Sequence, residues 1–357
     1  MLDKQKLFEA VFAPSAEDTV LVMIDTPHGG IADHERWVER RAMAAEWREA
    51  FQAMPVTVRP LLSYPATGAN NGDLPSHGNM DGQSVLLEPV LAGCTIVLAL
   101  TQFSATAPLS KLVRRYPGLR VASMPGVLRV MEDTALAADY REVARKAHLL
   151  AGWLTPAESA RLTFSTGDEL LFDLRYRTAH ADDGCCRRDK AFPLINLPSG
   201  EAFIVPYEGE RENEPSRTAG RIPIQCGKEI FTLEVDANRI EAVHGDGPAA
   251  RAFAAQLDED PARRNIAELG LGCNDRAVVR GVVLEDEKAG LHWAYGRSEH
   301  LGGTVGPEAF RSPAHVVHQD IVYAPASPIG VRRLTLHYPD RPPITVIEDN
   351  TYQLPAP

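Results

Sequence analysis

The sequence predicts an α/β fold in two parts: an N-terminal open, mostly parallel α/β domain over residues 1–155, and a C-terminal mixed, largely antiparallel α+β domain over residues 156–357. Three observations lead there. A chain of 357 residues suffices for two cores at about 100–200 residues per domain. The early apolar runs do not alternate with polar residues and are separated by amphipathic helices, the pattern of a parallel sheet covered on both faces. After Thr155-Pro156 apolar and polar residues alternate, as in half-buried antiparallel strands.

In chain order, "DTVLVMIDTP" (18–27), "GCTIVLALT" (93–101) and "GLRVASMPG" (118–126) read as buried strands, with helices over 33–54 and 131–154. Pro27-His28-Gly29-Gly30 follows the first strand. It matches neither GxGxxG nor GxxxxGK[ST], so a tight turn is expected there rather than a phosphate loop. In the second part, 161–177 alternates around a Gly-Asp turn and 231–245 around Asp-Ala-Asn, which predicts two hairpins. A helix is expected over 247–257, and "EGERENEPSRTAGR" (208–221) reads as a polar, mobile loop.

A net charge of -11 with no basic stripe argues against nucleic acid and against an anionic membrane surface as partners. No apolar run approaches the roughly 18–20 residues that span a bilayer, and the N-terminus lacks the features of a secretory leader. Cys94, Cys185, Cys186, Cys226 and Cys273 are an odd number without CxxC spacing, so free thiols in a reducing compartment are expected. A cytoplasmic location follows as the expectation. Cys185 and Cys186 sit in a charged loop, and a structural or substrate-contacting role outweighs metal binding for them.

Carboxylates and histidines in apolar settings mark where chemistry belongs. Glu201 stands at the mouth of an apolar strand in "NLPSGEAFIVP", a place where most glutamates are solvated. Glu268 lies in the apolar, glycine-rich "NIAELGLGCN", and burying its carboxylate requires a cation or hydrogen bonds in compensation. His292 in "LHWAYG" reads either as a core histidine or as a ligand, beside Trp293 and Tyr295, which read as packing residues. In "HVVHQDIVY" an extended chain puts His318 and Asp320 on one face and His315 on the other. These donors are nitrogen and oxygen only, which suits borderline divalent cations such as zinc, cobalt, manganese or iron.

Four elements in this order, "NLPSGEAF", "AELGLGCN", "GLHWAYG" with Gly302-Gly303, and "HQD", resemble those of the thermophilic-type metalloaminopeptidases, the M29 family of aminopeptidases T and S. "MPGVLRVMEDTALAADY" (124–140) resembles the family's segment ahead of the second domain. The resemblance implies a metal-binding C-terminal domain with Glu201, Glu268, His292, His318 and Asp320 as ligands of one or two divalent ions (zinc, cobalt or manganese). It also implies a homodimer and a small peptide or amino-acid-derived amide as substrate. Glu268 and Asp320 would lie closest to the bridge between the ions, with Glu201, His292 and His318 completing the shells, and Glu299 is assigned as general base. The family's tyrosine ligand is missing: its place falls at Glu299, with His300 and Tyr295 as alternatives. A ring-cleaving relative, 2,5-dihydroxypyridine 5,6-dioxygenase, holds one Fe(II) with two histidines and an aspartate and has apolar residues at the places of Glu201 and His292. The alternative readings are therefore an Fe(II) dioxygenase built on Glu268, His318 and Asp320, or a metal-binding homologue without catalysis.

Overall fold

The first part takes the mostly parallel α/β arrangement expected above and the second the largely antiparallel one, and the computed structural model describes residues 2–356. The chain divides into two compact units: Met1–Arg145 with Asp182–Gly200 and Asn274–Lys288, and Lys146–Ala181 with Glu201–Cys273 and Ala289–Pro357. The division is finer than a single boundary near 155. Residues 182–200 return to the first unit because Leu194–Asn196 pairs in parallel with Arg120–Ser123 at the edge of its sheet. Residues 274–288 return because Leu284 and Val282 pack into its core.

In the first unit Leu194–Asn196, Arg120–Ser123, Ile96–Ala99, Thr19–Thr26 and Leu62–Pro65 lie side by side and parallel, with His77–Met80 and Gln83–Leu86 continuing antiparallel. The central strands Thr19–Thr26 and Ile96–Ala99 are largely apolar because each face meets its own core. Val20, Val22 and Ile24 pack with Trp47 and Phe51, while Leu21 and Met23 pack with Leu91 and Leu109. The helix Glu35–Gln52 supplies Trp47 and Phe51 from one buried stripe. The helix expected over 131–154 is shorter. Arg129–Glu132 and Ala135–Ala137 are single 3₁₀ turns, and the α-helix begins only at Tyr140. The turn at His28 forms as expected, with the Ile31 N–H donating to the His28 carbonyl and Gly29 at φ +58°.

The second unit is built from two sheets. One is eight-stranded and contains both expected hairpins, Ser159–Phe164 with Glu169–Asp173 and Glu229–Asp236 with Arg239–His244. In the other, Glu201–Ile204, Ile266–Gly272, Leu291–Gly296 and His318–Tyr323 pair antiparallel in that order. One apolar core takes Phe164, Phe172 and Leu334 from the first sheet and Leu269, Leu271, Trp293 and Tyr323 from the second. Along its two middle strands the odd-numbered residues from 269 to 271 and from 291 to 295 fill the core, which leaves the opposite face for the site. No helix among the described residues is long and apolar enough to cross a membrane.

Candidate metal centre

The other face of the second sheet collects the acidic and imidazole side chains of four strands, Glu201 from an odd position and the rest from even ones. Across the ladder Glu268 stands opposite Ala294, and Ala294 opposite Asp320. Gly270 is opposite His292, Gly272 opposite Glu201, and Gly296 opposite His318. A register shift between Ile266 and Glu268 sets this alignment. Each donor thus has a glycine or alanine as its cross-strand neighbour, and the small residues give the large ones room. An added Cβ at Gly270 would lie 2.0 Å from His292 Nε2. Gly270→Ala should therefore displace the ring and destabilise the protein by about 1–3 kcal/mol, as overpacked sites do. Denaturant unfolding checks this, and an unchanged midpoint would show that the imidazole has space to spare.

Two groups of donors result, Glu201–Glu268–His292 and Glu268–His318–Asp320, each with its ligand atoms within 4.8 Å of one another. Glu268 belongs to both. Its Oε2 lies 3.0 Å from His318 Nε2 and its Oε1 3.6 Å from His292 Nε2. Glu201 Oε2 is 3.3 Å from His292 Nε2, and Asp320 Oδ1 is 3.6 Å from His318 Nε2. The first group is deeply buried, with Glu201 6%, Glu268 5% and His292 0% exposed. The second opens toward the surface through the half-buried His318 and Asp320.

The outer ring nitrogens decide what this arrangement suits. His318 Nδ1 lies 2.7 Å from the Arg297 carbonyl and His292 Nδ1 3.3 Å from the Gly290 carbonyl. A carbonyl only accepts, so both protons sit on Nδ1, and in a neutral ring Nε2 turns a lone pair toward carboxylate oxygens. His292 Nε2 has no well-directed hydrogen bond of its own. Acceptor facing acceptor is resolved by an added proton or by a cation, and a carbonyl-oriented imidazole beside carboxylates is how proteins hold divalent metals. Without a cation, the rings must carry the charge. Burial opposes it, yet Glu201 and Glu268 hold His292 well above the usual imidazole pKa, and Asp320 and Glu268 do the same for His318. Burial likewise opposes charge on Glu268, and the two histidines outweigh it, keeping its carboxyl far below the usual range. Three carboxylates against two imidazoles leave the face with a net demand for positive charge.

The remaining candidates separate on geometry. Tyr295 points into the core, as its odd position in the strand requires, and takes no part in the site face. Glu299 lies in neither donor group. Its carboxylate faces Arg297 (Nε to Oε2 2.7 Å, Nη2 to Oε1 3.1 Å), which holds its pKa down. His300 sits edge-on to His318 with ring centroids 4.9 Å apart. His315 is not in the strand. Pro313–His315 forms a 3₁₀ turn, and His315 Nδ1 reaches the buried Asp260 at 3.1 Å. None of the five cysteines is in a disulfide, and Cys186 is packed under the Val121 and Pro193 carbonyls.

Sequence reasoning missed Glu208, assigned above to a mobile loop. Its side chain is 4% exposed and collects donors from Asn265, Ser298, Thr304 and Arg177. The flanking Tyr207 hydroxyl ties the rest of that segment to Arg211 and Glu214. A hint was present in "VPYEGE", where the glutamate follows a buried aromatic directly.

No family model and no curated protein sequence matches the chain. Among solved structures, it is similar to 2,5-dihydroxypyridine dioxygenase from Pseudomonas putida KT2440, with a TM-score of 0.65 and 17% identity over 99% of this chain and 97% of that one. It is also similar to wild-type AmpT from Thermus thermophilus, with a TM-score of 0.58 and 13% identity over 98% and 99% of the two chains. Both neighbours are enzymes, and at these identities the likeness shows that the chain has their fold over its whole length.

Proposed function

We propose that the protein is a metal-dependent hydrolase of the aminopeptidase type, cleaving an amide next to a free amino group in a small peptide or amino-acid derivative. The observation that carries this reading is Glu268, with one oxygen toward each histidine and a further carboxylate beyond each. Such a residue suits a pair of cations, with Glu201 and His292 completing one shell and His318 and Asp320 the other. The similarity to AmpT supports the same reading. Bound divalent cations supply Lewis acidity toward a carbonyl and lower the pKa of coordinated water toward neutrality.

The chain's own part is orientation and charge. The Gly290 and Arg297 carbonyls fix the two rings, and the small residues between the donors keep the sheet face open. Glu299 is the non-ligating carboxylate assigned to proton transfer. Held ionised by Arg297, it accepts a proton once that pairing opens. Glu299→Gln should lower kcat by about 100-fold or more with metal content unchanged, as loss of a general base does; an unchanged kcat removes it from the mechanism.

The second reading, a one-iron ring-cleaving dioxygenase, draws on the Glu268–His318–Asp320 group, which by itself makes a one-histidine, two-carboxylate set, and on the likeness to the dioxygenase. Turnover of an aminoacyl p-nitroanilide by protein reconstituted with zinc, manganese or cobalt, under nitrogen and in air, separates the two. Equal rates support the hydrolase. Absence of amide cleavage, with oxygen consumed on a dihydroxypyridine by the iron-loaded protein, supports the dioxygenase.

A further inference from the structure

Resting on the cation site proposed above, we infer that Glu208 is the positioning residue of that site, clamping the loop whose backbone sets His318. The loop runs from Ser298 to Val305 and closes on itself, with Ser298 N and Glu299 N donating to the Val305 carbonyl and Gly303 N to the Ser298 carbonyl. Glu208 grips both of its ends. Its Oε1 accepts from Ser298 Oγ at 2.5 Å, and its Oε2 accepts from Thr304 N at 2.6 Å and Thr304 Oγ1 at 2.7 Å. Asn265 Nδ2 donates to Oε1 at 2.8 Å, and Arg177 Nη2 lies 3.3 Å from Oε2. A carboxylate this far from water is tolerated because every lone pair finds a donor, and removing its charge frees several donors at once.

Two chains of contact run from Glu208 to His318. Ser298 follows Arg297, whose carbonyl accepts from His318 Nδ1 and whose N–H donates to the Val317 carbonyl at 2.7 Å. Asn265, itself 3% exposed, also donates to the Gly296 carbonyl at 3.0 Å and accepts the Gly296 N–H at its own carbonyl. Gly296 is the residue opposite His318 in the ladder. It sits at φ +100°, where an added Cβ would meet the Val317 carbonyl at 2.2 Å. The clamp thus holds the carbonyl that fixes the His318 tautomer and the backbone that fixes its position. It reaches only the open half of the site, because His292 is oriented from Gly290, at the opposite end of its strand from Gly296. The same loop carries His300 against the His318 ring, so the clamp places that contact as well.

The test uses Glu208→Gln, with Glu208→Asp as the charge-retaining comparison and Asp320→Asn as the marker of the open group. In the metal-free protein, ring NMR should show an exchange-protected Nδ1 proton on His318, assigned by its loss in His318→Gln. That signal should vanish in Glu208→Gln and return in part in Glu208→Asp. In cobalt(II) titrations followed by visible absorption, Glu208→Gln should weaken the same step that Asp320→Asn weakens, by about 10–100-fold, as loss of an outer partner does. The other step should stay unchanged. A folded Glu208→Gln protein that keeps both the protected proton and the wild-type affinity overturns the inference, and so does equal weakening of both steps. If the wild-type protein takes up no cobalt, the proposed function fails and the ring signal alone decides the role of Glu208. Should Glu208→Gln not fold, Ser298→Ala removes one donor of the clamp and is read in the same two ways.

Discussion

Glu268→Gln should empty both donor groups at once and reduce amide turnover on the order of a thousandfold or more, since the stabilisation a catalytic metal provides is worth several kcal/mol. Glutamine has the shape of glutamate, so the sheet keeps its register and the loss is one of charge. Asp320→Asn serves as the control because Asp320 belongs to one group only. It should weaken the cation at His318 while leaving the buried cation at Glu201 and His292 in place. Elemental analysis of the two variants beside the wild type measures this. Full metal content and full activity in Glu268→Gln would remove the shared carboxylate from the account.

The second large effect is on stability, and it depends on pH. In the metal-free protein the raised pKa values of His292 and His318 mean that folding favours their protonated forms. That contribution is complete below the ordinary imidazole value of about 6.5 and is lost as pH rises through the folded values. Glu268 works in the opposite sense. Its depressed pKa stabilises the fold above the ordinary value of about 4.5, and this is lost as pH falls through the folded value. The metal-free protein should therefore be most stable between these limits and weaken as pH rises beyond them. A divalent cation takes over the role of the histidine protons. Its stabilisation should grow with pH, reaching about 4 kcal/mol when free cation stands a thousandfold above its Kd. Unfolding midpoints with and without chelator at pH 5.5 and 8.5 measure the difference. A larger chelator effect at the lower pH would contradict the charge balance.

What could be read from the sequence was what depends on period. The alternation of "HQD" placed His318 and Asp320 on one face, and the isolation of Glu268 in an apolar strand announced a buried charge. The small residues that make the site feasible were visible in the same pattern, since Glu268, Gly270 and Gly272 share one parity, as do His292, Ala294 and Gly296. The even spacing of Tyr295 from the core residue Trp293 likewise puts it in the core. Long-range partners were not legible. His315 is drawn out of the strand by a proline-started turn and by Asp260, a residue 55 positions away. Glu208 sits in a segment rich in charge, and its burial depends on Ser298 and Thr304, some 90 residues downstream. The returns of 182–200 and 274–288 to the first unit rest on strand pairing and core contacts that no local pattern encodes. The late start of the helix at Tyr140 reflects a run of 3₁₀ turns whose composition is as helix-compatible as the helix itself.

Anomalous scattering at the zinc, manganese, cobalt and iron edges, from crystals of protein purified without added metal or chelator, gives the identity, number and ligands of the cations together. Two peaks are expected, one beside His292 and Glu201 and one beside His318 and Asp320, with Glu268 touching both, at an edge other than iron. A single iron peak held by Glu268, His318 and Asp320, with Glu201 and His292 joined only to each other, would contradict a two-cation site.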